Sequence, residues 1–84
     1  ISSLDGSFTA PSNGWLYGSC NGVEVTTSNW GVIYKEGIGG YVGFVCIPVF
    51  KGCTVNSKSY TSQTAGTTEH SISLSFAPYK KMSN

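Results

Sequence analysis

The chain has 84 residues, only 11% of them charged, with five lysines and no arginine against four carboxylates for a net charge of +1. That balance leaves no basic stripe or guanidinium fork for nucleic acid. Three cysteines and a single histidine make neither a disulfide framework nor a zinc set, so no metal or other cofactor is expected. The longest apolar run is about half of what a membrane crossing needs, so no membrane insertion is expected either. At this length the chain is one domain, 1–84, near the lower size limit for independent stability. It starts at Ile1 rather than Met and reads as a fragment or processed piece of something longer.

Residues 1–6 are a polar lead-in to a short strand at 7–10. Pro11-Ser12-Asn13-Gly14 is a turn, since Pro presets φ and Asn or Gly accepts the left-handed corner. A second strand, 15–20, places Trp15, Tyr17 and Ser19 on one face and Leu16, Gly18 and Cys20 on the other. Asn21-Gly22 is the strongest hairpin signal in the chain. Residues 23–27 then alternate, with valines inward and Glu24 and Thr26 outward. Ser28-Asn29 turns the chain into a fourth strand, 30–36, and Gly37-Ile38-Gly39-Gly40 forms a flexible corner.

The run Tyr41 to Phe50 carries no charge and is apolar on both faces. One face holds Val42, Phe44, Cys46, Pro48 and Phe50; the other holds Tyr41, Gly43, Val45, Ile47 and Val49. Such a strand is expected to be covered on both sides. Pro48 cannot donate a ladder bond, so it marks an edge or a bulge. Lys51-Gly52 closes this strand and Cys53 to Asn56 begins another. Between Asn56 and Ser71 only Tyr60 and Ala65 are apolar, which predicts a long exposed loop or a two-sided polar hairpin. In the last strand, 70–77, Ile72, Leu74 and Phe76 face inward and serines outward, until Pro78 ends it. About seven short strands between turns predict an all-β fold, a small antiparallel β-sandwich of jelly-roll-like kind.

Catalytic chemistry finds little support. His70 beside Glu69 on a strand points to the opposite face, so it reads as a solvent-facing residue, and the four carboxylates are scattered. The aromatics remain. Trp15 and Tyr17 read as packing residues, whereas Trp30, Tyr34 and Tyr60, with Gln63 in the polar segment, are candidates for contacting a receptor, Tyr60 foremost.

Three pieces in order carry a resemblance: FTAPSNGWLYGS at 8–19, PVFKGCTV at 48–55 and SLSFAPYKK at 73–81. Together, over roughly a third of the chain, they resemble the small C-terminal head or knob domains of bacteriophage tail fibres and tail spikes. Those domains are related to the trimeric sandwiches of tumour necrosis factor and complement. One departure is Cys53, which stands where the pattern has an aspartate. The resemblance implies a homotrimer at the tail of a virion, facing outward and binding a host cell-surface glycan or outer-membrane protein, with no enzymatic role. In that trimer Tyr41, Val45, Ile47 and Val49 would line the shared axis. The alternatives are a purely structural trimerisation or capping knob and a monomeric carbohydrate-binding module.

Overall fold

The computed structural model describes Ile1 and residues 4–36, 42–61 and 70–79. Among the described residues seven strands form: β1 (Ser7–Thr9), β2 (Gly14–Asn21), β3 (Val23–Thr27), β4 (Gly31–Glu36), β5 (Gly43–Val49), β6 (Thr54–Ser59) and β7 (Ser71–Pro78). They build two antiparallel sheets, one ordered β1-β6-β3-β4 and the other β5-β2-β7. The fold is therefore all-β, a small antiparallel β-sandwich. Its core is the inward half of each alternating strand: Leu16 and Cys20, Val23 and Val25, Val45 and Val49, Val55, Ile72 and Leu74, closed by Ala10 and Cys53.

The connections depart from the sequence reading at Asn21-Gly22. No hairpin forms there, because β2 and β3 lie in different sheets. Gly22, with φ of 62°, is a single-residue corner that carries the chain from one layer to the other. A hairpin turn would need both flanking strands in one sheet, whereas one residue in the left-handed region is enough to break the strand direction. The end of β5 does the same through Gly52, whose φ is 86°. The connection that does form a hairpin is β3 to β4, where the Thr27 hydroxyl accepts from Trp30 N at 2.9 Å. A bulge between Val25 and Thr26 then turns Ile33 toward the core.

Two other expectations are corrected. The polar stretch after Asn56 is not all loop: β6 runs on to Ser59, and Ser57 is buried. Burial is tolerated because Gly6 N donates to the Ser57 hydroxyl at 3.0 Å while Ser57 N donates to Gly6 O at 2.9 Å. The remainder of that stretch lies outside the described residues. His70 is half-buried, not solvent-facing: its ring Nδ1 lies 2.6 Å from Gly22 O, a carbonyl that also accepts from Tyr60 N. The imidazole thereby ties the start of β7 to the Gly22 corner. All three cysteines are free thiols.

Candidate functional site: an uncharged aromatic face

The strand β5 is apolar on both faces, but the described residues cover only one. Val45 and Val49 are 6% and 0% exposed within the chain's own core, and Ile47 packs against that core. These three residues, assigned above to a shared axis, are thus occupied by the second sheet of the same chain; Tyr41 lies outside the described residues. The opposite face is open, and Phe44 is 81% exposed. Across the gap of about 10 Å between packed sheets, Val45, Ile47 and Val49 meet the aliphatic and thiol side chains that fill this core.

The ladder registers extend that open face across the whole sheet. Phe44, Ser19 and Ser73 form one cross-strand row, Cys46, Tyr17 and Ser75 the next, and Pro48, Trp15 and Ala77 the third. Trp15 and Tyr17, read from the sequence as packing residues, are 43% and 44% exposed. Trp15 meets Tyr79 edge-on, with ring centroids 5.7 Å apart. Nine positions thus carry no charge, grading from apolar on β5 through aromatic on β2 to hydroxyl on β7. Gly18 lets β2 and β7 approach closely at this point. A Cβ there would run into the Ser73 carbonyl oxygen, and its φ of 148° suits glycine.

The other sheet turns a different surface to solvent. Glu24 sits between Lys35 at 3.7 Å and Lys58 at 3.2 Å, its cross-strand neighbours on β4 and β6. Lys35 also lies over the Tyr60 ring, 5.0 Å from its centroid. This is a solvated, charge-paired face.

The receptor candidates do not come together. Tyr60 belongs to the charged face, near the Val23 end of β3, whereas Trp30 sits in the turn at the other end of that strand. Tyr34 is half-buried: its ring packs on Gly43 and its hydroxyl donates to Cys20 O at 3.2 Å, a structural role. Burial raises its pKa, with the Cys20 and Glu36 charges adding and a backbone hydrogen bond from Gly43 opposing. Gln63 lies outside the described residues. Ser28 to Val32 are exposed; residues 37–40, read above as a flexible corner, lie outside the described residues.

The three pieces that carry the resemblance meet at one end of the sandwich. Ala10 N donates to Cys53 O and Gly52 N to Ala10 O, both at 2.9 Å. Asn13 then ties all three, its side-chain oxygen accepting from Lys51 N at 2.8 Å and its carbonyl from Tyr79 N at 3.1 Å. Cys53 needs no carboxylate to close its turn. Its backbone N donates to Phe50 O at 2.9 Å, and its side chain is a core residue. No protein-family model, no curated protein and no solved structure matches the chain. Among the described residues no cluster of His, Cys, Asp or Glu is arranged to hold a metal.

Proposed function

We propose that this domain is the distal head of a bacteriophage tail fibre or spike, a homotrimer that joins three parent chains and binds a host cell-surface glycan or outer-membrane protein. The observation that carries this reading is the uncharged outer face of β5-β2-β7, with Phe44, Tyr17 and Trp15 open to solvent in a single chain. An uncharged face with exposed Phe44, Tyr17 and Trp15 on so small a domain favours a partner surface. Identical chains supply one, and cyclic closure stops association from running on into fibres. The convergence of the three resembling pieces around Asn13 supports the same reading, since it makes them one structural unit.

A monomeric carbohydrate-binding module is the second reading, because exposed Trp15 and Tyr17 rings are also suited to stacking on sugars. The test is binding of fluorescently labelled protein to a panel of bacterial cells, with the solution mass measured in parallel. A trimer that binds one host saturably and is displaced by unlabelled protein supports the proposal. A trimer that binds no cell leaves only a structural knob, and a cell-binding monomer establishes the second reading.

A further inference from the structure

We propose that the Trp30–Phe50 pair, at the end of the sandwich beyond β5, is a stacking site for an acidic sugar, a hexuronic or sialic acid unit. The two rings are in contact, centroids 6.3 Å apart and planes tilted by 36°, and both are about half exposed. Neither ring is a loose surface side chain. The Trp30 indole N–H donates to Pro48 O at 2.7 Å, so the ring is pinned along the edge of β5 where Pro48 supplies no N–H. The Asn29 side-chain oxygen accepts from Phe50 N at 3.0 Å, which fixes the backbone under the second ring. A flat aromatic surface held in advance costs a ligand little ordering entropy.

The side-chain amides bonded to the β5–β6 connection have donors left over. Backbone N–H groups can be met only by oxygen, so Asn29 and Asn13 each spend their carbonyl oxygen on the β5–β6 connection. What each turns outward is its NH₂ group. The exposed ammonium of Lys51 lies next in sequence to Phe50. The described carboxylates are elsewhere: Asp5 bonds Ser59 N, Glu24 is paired with two lysines, and Glu36 stands opposite Val23 at the far end of β3. Two amides bonded to the segment that carries Phe50, and an exposed lysine that follows it in the chain, favour a ligand with a ring face, several hydroxyl acceptors and a carboxylate. This inference rests on the recognition half of the proposed function and is independent of the assembly half.

The test follows the Trp30 indole N–H signal by NMR during titration with 3′-sialyllactose, tri-galacturonic acid and neutral lactose. A saturable shift with either acidic sugar, at least tenfold tighter than with lactose, is expected. Lys51→Gln should remove that preference, and Phe50→Ala should weaken binding at least tenfold while leaving the solution mass unchanged. Trp30→Phe retains a ring but loses the anchor and the indole signal; followed through the Phe50 backbone amide signal, its affinity should fall between wild type and Phe50→Ala. No shift with any of the three sugars, equal affinity for acidic and neutral sugars, or binding untouched by Phe50→Ala would overturn the site. A chain that remains trimeric without responding to sugar removes this site and leaves the assembly reading standing.

Discussion

Phe44 and Val45 are adjacent on β5 and point to opposite faces, so substituting each in turn separates folding from assembly. Phe44 is 81% exposed and Val45 6% exposed in the single chain. In a monomer, Phe44→Lys would change stability by no more than about 0.5 kcal/mol, as for other exposed positions. In a trimer that buries Phe44, each chain loses the roughly 2–3 kcal/mol that comes from burying a phenyl side chain. Three chains then lose about 6–9 kcal/mol, or about four to six powers of ten in the association constant. Val45→Ala instead removes two core methyl groups and should cost about 1–3 kcal/mol of folding stability, taking one buried methylene twice. Sedimentation velocity over a concentration series reads assembly, and thermal melting of the dissociated chain reads folding. The expected pattern is a monomeric, folded Phe44→Lys and a destabilised Val45→Ala that still assembles when folded. Phe44→Lys keeping the wild-type mass at every concentration would refute burial of this face.

The remaining predictions concern what holds the sandwich together. Gly18→Ala drives a methyl group into the Ser73 carbonyl at a φ suited to glycine, and should cost at least about 2 kcal/mol in the urea midpoint. An unchanged midpoint would mean β2 and β7 are not so close. Asn13→Ala leaves Lys51 N without its acceptor and loosens the junction of three segments, a loss of about 1–2 kcal/mol readable in the same assay. Burial pushes the Cys20 thiol up to about 11 from an ordinary 9.0. The unfolded chain therefore releases this proton first. The stability contributed by this group is constant below pH 9 and is lost as pH rises through 11, by about 3 kcal/mol in all for a two-unit difference. Cys20→Ala should flatten that part of the profile, measured by denaturation at fixed pH values. An unchanged slope in the variant would place the effect elsewhere.

Much of the fold was legible in residue patterning. Alternation in 23–27 and 70–77 placed Val23, Val25, Ile72 and Leu74 inside, and the Pro48 position on an edge strand follows from its missing N–H. The Gly22 corner was misread because a glycine in the left-handed region serves a hairpin and a change of sheet equally well. The choice of face on β5 was illegible for a different reason. Both faces are apolar, so the register with the neighbouring strand, not the pattern of β5 itself, decides which one turns inward. On β2 the face bearing Leu16 and Cys20 is the one that enters the core, which leaves Trp15 and Tyr17 on the outer face beside Pro48 and Cys46. The Trp30–Phe50 pair joins residues twenty positions apart through a backbone carbonyl, which no local pattern encodes.

Sedimentation equilibrium of the wild-type chain, from low micromolar to several hundred micromolar, tests the central claim most directly. Self-association through the open face of β5-β2-β7 predicts a limiting mass three times 8.9 kDa, about 27 kDa. A single species at 8.9 kDa across the whole range would contradict it.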